Sequence, residues 1–351
     1  MNKNTPILVT GATGYVAGWI IERLLMQGYI VHATVRDPSK KEKLQHLTEI
    51  AKKSSGQIYF FKADLLTPHA FDEAMKACEI VIHTASPFVI SNYKDAVKDI
   101  IEPAVKGTIN VLETANRTTT VKRVVVTSSI AAICGDAIEI EDTAKHEFDE
   151  SHWNNSSSET HQPYSYSKVA AERKAWEMAE QQDRWSLVCI NPALVMGPSL
   201  TTATQSGSVE LLEKFGDGTL LFGAPEIWMG IVDVRNVADA HVAAAFSSTA
   251  NGRYIISGGT LSFLEMGKIL TQRFGYRYPF PHFTVPKAVF SLFAPLFGQS
   301  RKFVQRNVGY PVYFSSKRSQ EELGIEYLDI QQSLCEHFQQ LLDDGLIKKR
   351  G

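Results

Sequence analysis

The chain has 351 residues, of which 44% are hydrophobic and 21% charged, with 36 Lys and Arg against 38 Asp and Glu and a formal net charge of -2. That length suits two domains' worth of chain, or one large α/β unit with an appendage, and can bury a sizeable core. The even charge argues against a sequence-independent nucleic-acid binder, and the ordinary composition argues against wholesale disorder.

The first six residues are polar and lead straight into Ile7-Leu8-Val9-Thr10, which reads as a strand. No charged leader precedes a long apolar run, so a secretory signal is not expected. Gly11-Ala12-Thr13-Gly14-Tyr15-Val16-Ala17-Gly18 follows, and the pattern predicts a helix over 16–27 with Gly28 near its end. Glycine permits a tight turn and lets backbone approach a ligand closely. The free N–H groups at a helix start then face a phosphate. The spacing is a GxxGxxA variant of the dinucleotide fingerprint, with Gly18 as an alternative third small residue. Its place between the first strand and a helix gives it weight. Thr10, Gly11, Thr13, Gly14, Tyr15 and Val16 are therefore candidate cofactor contacts.

A second strand, 30–35, ends on Arg36-Asp37-Pro38, with Lys40, Lys41 and Lys43 beyond. An acidic residue there would hold a ribose 2′-hydroxyl, and an arginine suits a 2′-phosphate. Arg36 comes first, so NADPH is expected over NADH, although Asp37 keeps NAD open. Strands over 58–62, 80–84 and 121–127 follow, with helix-like stretches between them. Short apolar strands separated by helices predict a parallel sheet covered on both faces. Thr127-Ser128-Ser129 closes the fifth strand, and ligands gather at the carboxyl ends of such strands. A hydroxyl there could hold a substrate carbonyl.

Tyr164-Ser165-Tyr166-Ser167-Lys168 opens a helical stretch that runs to about residue 181. Tyr164 and Lys168 are four apart and share a helix face. A free tyrosine, with a pKa of about 10, is a poor acid or base at neutral pH. A nearby ammonium stabilises the phenolate and lowers that value. The pair makes sense as a proton relay, although such a match in isolation is usually a surface pair.

After a strand over 186–191 the chain is less regular. Residues 192–222 read as loop-rich. Short strands are predicted over 231–233 and 253–257, and a helix over 237–246. Ser262 could cap a helix running to Phe274, with Glu265 in capping-box position. Residues 329–346 read as a surface helix. The four cysteines, Cys78, Cys134, Cys189 and Cys335, form no CxxC pair, so no zinc ribbon or redox motif is expected. No apolar run reaches the roughly 18 residues of a membrane span. His83 reads as a packed or cofactor-adjacent histidine, and His146, His152 and His161 as members of a polar loop rather than metal ligands. Phe290, Leu292, Phe293, Leu296 and Phe297 could form a substrate wall, a subunit contact or a membrane-facing patch, with ordinary core as the default reading.

The ordered series resembles a known family, the extended short-chain dehydrogenases/reductases, and within it the cinnamoyl-CoA reductase and dihydroflavonol 4-reductase group. The resemblance runs from about Ile7 to about Tyr327. It includes the glycine turn, Ala33 to Pro38, Ala63-Asp64-Leu65, and His83-Thr84-Ala85-Ser86-Pro87-Phe88. It continues through Thr127-Ser128-Ser129, Phe148 to Trp153, the Tyr164/Lys168 pair, and Asn191-Pro192 with Gly197-Pro198. It implies a Rossmann-type doubly wound parallel sheet with a smaller, mostly C-terminal α/β substrate-binding part. Residues 1–190, with about 231–250 returning, would bind the cofactor, and 191–351 mainly the substrate.

Carried over by position, the resemblance makes Tyr164 the general acid toward a carbonyl oxygen. Lys168 would lower its pKa and hold the nicotinamide ribose. Ser129 matches the catalytic serine better than Ser128. Arg36 and Lys43 would contact the 2′-phosphate, Asp64 and Leu65 the adenine, and Ala85 with Thr84, Ser86 and Thr127 the ribose and phosphate region. Pro192 and Val195 would pack beside the nicotinamide. Ser86, Phe88, Ser129, Cys134, Tyr164, Met196 and Trp228 are the expected substrate contacts, and no metal is expected. Dihydroflavonol reductases usually carry an asparagine where this chain has Cys134, which favours a smaller or more apolar carbonyl substrate. The expectation is a cytoplasmic, NADPH-dependent reductase of aldehydes or ketones, monomeric or homodimeric, with no nucleic-acid or membrane partner. The alternatives are a nucleotide-sugar epimerase or dehydratase of the same superfamily, or a non-catalytic dinucleotide sensor. Dehydratases typically place Asp-Glu where Ser128-Ser129 follows Thr127, and sensors usually lose the Tyr/Lys pair.

Overall fold

Short runs of aliphatic residues, buried on both faces, build a parallel sheet in this computed structural model, which describes residues 3–86, 93–202 and 206–349. Its first six strands are β1 (Ile7–Thr10), β2 (Ile30–Val35), β3 (Gln57–Lys62), β4 (Ile80–His83), β5 (Arg123–Thr127) and β6 (Ser186–Pro192). The chain then forms β7 (Leu194–Met196), β8 (Ala224–Pro225) and β9 (Trp228–Asp233), and returns to the sheet with β10 (Gly252–Ile256). The order is β10-β6-β5-β4-β1-β2-β3, and every neighbouring pair is parallel.

Alternation along the strands divides the core in two. Ile7, Val9, Ile80, Ile82 and Val125 face one layer, with Ile20 and Leu24 of the helix Tyr15–Met26 and Val237 of the helix Val234–Phe246. Leu8, Val81, Val124 and Val126 face the other, with Leu112 of the helix Glu102–Arg117 and Ala175 of the helix Pro163–Glu180. Each fully buried aliphatic side chain contributes about 1.5–3 kcal/mol. The strand order reverses between β1 and β4, so the loops leaving their carboxyl ends diverge and open a crevice there.

The second core lies around a smaller sheet of order β11-β9-β7, in which β11 (Gly259–Ser262) runs antiparallel to β9. Another pair joins β8 to β12 (Thr284–Val285). Ser262 caps the helix Phe263–Phe274, and Glu265 returns the bond to the Ser262 amide, as its spacing predicted. Two expectations are corrected. The stretch over 192–222 contains β7 and the helix Gly207–Asp217, capped by Ser206 and ended by Gly218 at φ +106°. The apolar run over 290–297 is not core: Leu292, Phe293 and Leu296 are exposed. The surface helix expected over 329–346 forms as Ile330–Asp343, and its buried face, Leu334, Phe338, Leu341 and Leu342, packs into the same core as Leu212, Phe215 and Phe274.

Candidate active site

The glycine turn sits in the crevice. Gly11 has φ +68°, and a Cβ there would lie 3.0 Å from Ala85 Cα. Gly14 is the N-cap of the helix Tyr15–Met26, with no side-chain cap and no acidic residue in the first turn. Those amides are left for an anion. Thr10 is fully buried and shapes the turn. Its Oγ1 accepts the Thr84 and Ala85 amides, both at 3.1 Å, and lies 2.8 Å from His83 Nδ1. With two amides already donated to it, the hydroxyl gives its proton to Nδ1. Burial, with the nearby Lys168 charge, pulls His83 down to about 4, so the ring is neutral.

Arg36 and Lys43 stand exposed beyond β2 and make no ion pair among the described residues. Asp37 is engaged instead: its Oδ1 accepts the Ser39 amide at 3.0 Å and the Ser39 hydroxyl at 2.6 Å. Asp64 and Leu65 follow β3. Asp64 is exposed and accepts the Leu66 amide, while the Leu65 carbonyl accepts from Asn110.

Beside the turn opens a cavity of about 550 Å³ whose walls include Gly14, Tyr15, Val16, Thr84, Ser86, Thr127, Ser129, Cys134, Tyr164, Lys168, Pro192, Val195 and Trp228. Met196 does not join them: β7 pairs with β9 and turns its side chain into the C-terminal core. Phe88 and Pro87 lie outside the described residues. Sequence reading missed Gln162, Ile227, Phe303, Asn307, Val312 and Phe314 in the wall. They come from distant segments, and none carries a local motif.

Tyr164 and Lys168 lie one turn apart on the helix Pro163–Glu180. Lys168 Nζ is 5.6 Å from the Tyr164 ring centre and donates to Ser86 Oγ at 3.1 Å. Burial pushes Tyr164 up to about 12 and Lys168 down to about 8. Spacing alone predicts a lowering effect of the lysine on the phenol. Here desolvation outweighs it, and the phenol is a firmly protonated donor.

The two serines diverge. Ser129 caps a short turn, its Oγ accepting the Ala131 amide at 3.1 Å. Ser128 Oγ donates to Glu172, a carboxylate 1% exposed on the far side of β5. Glu172 also accepts from Asn191 at 2.8 Å and from Arg253 at 2.6 Å. Asn191 in turn donates to the Ser129 carbonyl at 3.1 Å. Arg253 lies 3.8 Å from the centre of the Trp153 ring. This braced ion pair behind the serines escaped the sequence reading, because β5, β6 and β10 meet only in the fold. Thr127 donates to the neutral His241 Nε2 at 2.7 Å. His161 and His152 pair with Asp136 and Asp149. Among the described residues no group of three or more His, Cys, Asp or Glu is set to hold a metal ion. The four cysteines are free, and burial pushes the Cys134 thiol up, away from nucleophilic use.

A hydrogen-bond donor, a serine hydroxyl and an ammonium thus border one apolar space next to the glycine turn. Known proteins agree with that geometry. The model of the NAD dependent epimerase/dehydratase family matches residues 7–257. A cinnamoyl-CoA reductase from Medicago truncatula is 33% identical over 342 residues, covering 97% of this chain and 96% of its own. An anthocyanidin reductase from Vitis vinifera is 33% identical over 337 residues, covering 91% and 94%. Among solved structures, the yeast methylglyoxal/isovaleraldehyde reductase complexed with NADPH superposes with a TM-score of 0.75 at 27% identity, covering 96% of this chain and 98% of its own. The chain belongs to the NAD dependent epimerase/dehydratase family and is an NAD(P)H-dependent oxidoreductase.

Proposed function

We propose that the cavity reduces an aldehyde or ketone to its alcohol with NADPH, and that Tyr164, Ser129 and Lys168 carry out the proton side of the reaction. The observation that carries this reading is the convergence of those three side chains on one largely apolar cavity beside the glycine turn. NADPH, when bound, supplies the hydride that goes to the carbonyl carbon. Ser129 holds the carbonyl oxygen through its hydroxyl. Tyr164 gives its proton to that oxygen as the carbon is reduced. Lys168 stabilises the phenolate left behind and binds the nicotinamide ribose. Asn191 and Glu172 keep the strand end that presents Ser129 in place.

The residues present fit the cofactor. Gly11 and Gly14 leave room and open amides for the pyrophosphate, with Thr13, Tyr15 and Val16 alongside. Arg36, with Lys43, takes the 2′-phosphate. The engagement of Asp37 by Ser39 supports that preference over a free ribose. Asp64 and Leu65 flank the adenine, Thr84, Ala85, Ser86 and Thr127 the ribose and phosphate, and Pro192 and Val195 the nicotinamide. Cys134 and Trp228 face the substrate. Ile130, Ile227, Phe303, Val312 and Phe314 in the wall favour a substrate with an apolar body. The names of the relatives, all reductases, support the same direction of reaction.

In this reading residues 1–190 with 231–250 form the cofactor part and 191–351 mainly the substrate part. The enzyme works in the cytoplasm on a small carbonyl compound, as a monomer or homodimer. No helix among the described residues is long and apolar enough to cross a membrane. The test is NADPH and NADH consumption against aliphatic, aromatic and α-dicarbonyl compounds, with Tyr164→Phe alongside. Turnover that prefers NADPH and collapses in the variant is expected. Cofactor binding with no turnover across the panel would sink the reading.

A further inference from the structure

Asp136 is a carboxylate with 0% exposure at the edge of the cavity wall. Four side chains donate to it. Oδ1 accepts from Gln162 Nε2 at 2.7 Å, Asn307 Nδ2 at 2.7 Å and His161 Nε2 at 2.9 Å. Oδ2 accepts from Arg306 Nε. Burial pushes its pKa up, but the bonds from Asn307, Arg306 and His161 outweigh that and hold it below the usual carboxylate value.

The donors come from two places. His161 and Gln162 stand directly before the helix that carries Tyr164. Arg306 and Asn307 end the helix Arg301–Asn307, which is 170 positions away in the chain. Gln162 has φ +55° and ψ +57°, a left-handed backbone that costs energy for a residue with a Cβ. Its side-chain amide bridges Asp136 and the Gly135 carbonyl at 2.8 Å, which fixes that conformation. On the other side, Phe303 and Asn307 form part of the cavity wall, and Asn307 Oδ1 accepts the Ala137 amide at 3.0 Å. A buried carboxylate stripped of some donors is left with an uncompensated charge. The wall helix and the backbone before Tyr164 are therefore held by the same group, and loosening one weakens the hold on the other.

We propose that Asp136 is a clasp: a positioning residue that locks the helix Arg301–Asn307 against the substrate side of the cavity and, through Gln162, fixes the backbone that aims Tyr164. Substrate enclosure and alignment of the acid are then one coupled event. The inference rests on the reductase reading for the role of Tyr164.

The experiment uses the full chain with Asp136→Asn, Arg306→Met, Arg306→Lys and the Asp136→Asn/Arg306→Met double variant. Arg306 is 38% exposed in its side chain, so its replacement leaves the fold the better chance of forming. For a bulky carbonyl substrate, kcat/KM is expected to fall at least tenfold in Asp136→Asn and Arg306→Met. The Kd for NADPH should stay within twofold of the parent. Arg306→Lys should recover part of the loss, and the double variant should be no worse than the poorer single one. Amide hydrogen exchange should quicken over 301–310 and 161–166 and not over the helix Tyr15–Met26. A kcat/KM within twofold of the parent in Arg306→Met overturns the clasp. So does a loss matched by an equal rise in NADPH Kd, or fully additive losses in the double variant. Should Asp136→Asn fail to fold, Arg306→Met and Arg306→Lys decide the matter. If the parent reduces no carbonyl at all, the reductase reading fails, while the exchange pattern still tests whether Asp136 couples the two segments.

Discussion

Tyr164 and Lys168 are pulled in opposite directions by the same burial. The phenol is pushed up to about 12 and the ammonium down to about 8. A proton donor to a carbonyl oxygen gains from the first shift, because it stays protonated through the whole working range. The second shift sets a limit. Below about 8, Lys168 carries its charge and can stabilise the phenolate formed as the proton leaves. As pH rises through that value the charge is lost while Tyr164 keeps its proton. Reduction should therefore slow on the alkaline side with an apparent pKa of about 8, and Lys168→Arg should remove that limb whatever it does to the absolute rate. A kcat profile flat to pH 10 would show that Lys168 has no such part. Tyr164→Phe should cost about 10²–10⁴-fold in kcat, the range for a general acid. NADPH affinity should hardly change, since the ring stays in place.

At the scale of elements, the site depends on how strand ends meet. Gly11 lies so close to Ala85 that Gly11→Ala must push β1 and β4 apart at their carboxyl ends, on top of a positive φ that alanine disfavours. NADPH affinity, measured by fluorescence titration, should fall at least tenfold. Arg36→Ser should lose affinity for NADPH and not for NADH, and a parallel loss of both would refute a 2′-phosphate contact. Glu172 ties β5, β6 and β10 together through Ser128, Asn191 and Arg253. Removing one charge of a buried pair destabilises by about 3–5 kcal/mol, so Glu172→Gln should lower Tm sharply in a thermal melt. An unchanged melt would mean that the pair is not braced as described.

These junctions also mark how far the sequence could be read. Strands such as Ile30–Val35 declare themselves through composition, and the glycine turn and the Tyr164/Lys168 pair through spacing within a few residues. The preference for Ser129 over Ser128 comes only with the family resemblance, as the second serine of the pair. Glu172 and Asp136 could not be found that way. Their arginine partners lie 81 and 170 positions distant, and a buried carboxylate looks in sequence like any surface one. Met196 misled for a related reason: its neighbour Val195 reaches the cavity, and only the pairing of β7 with β9 decides that Met196 does not. The glycines over 192–222 hid a helix because one of them, Gly218, serves to end it.

For the whole molecule, the response to acid is dominated by three of the five histidines that burial lowers, His32 and His46 being the other two. His83 ends β4 against Thr10. His241 lies beneath β5, bonded to Thr127. His337 sits in the last helix, its ring centre 5.7 Å from that of Tyr15 beside the glycine turn. Burial is the main cause in all three, and each is lowered from 6.5 to about 4. Their folded values lie below the unfolded one, so the fold binds fewer protons. Above 6.5 both states are neutral and these histidines leave stability independent of pH. As pH falls from 6.5 toward 4 the unfolded chain takes up protons that the fold refuses. Each histidine then removes up to about 3 kcal/mol. Three together rival the roughly 5–15 kcal/mol that holds a typical domain. The buried carboxylates Asp136 and Asp233 are held below their usual range, so their stabilisation is lost only at still lower pH. Thermal melts should give a Tm nearly constant from pH 8 to 7 and falling steeply between about 6.5 and 4.5. His241→Gln should make that fall shallower, because one of the three protons is no longer at issue. If Tm moved by no more than a few degrees over that range, the three rings would have to be accepting protons inside the fold, and the neutral hydrogen bonds at Thr10 and Thr127 would have to be redrawn.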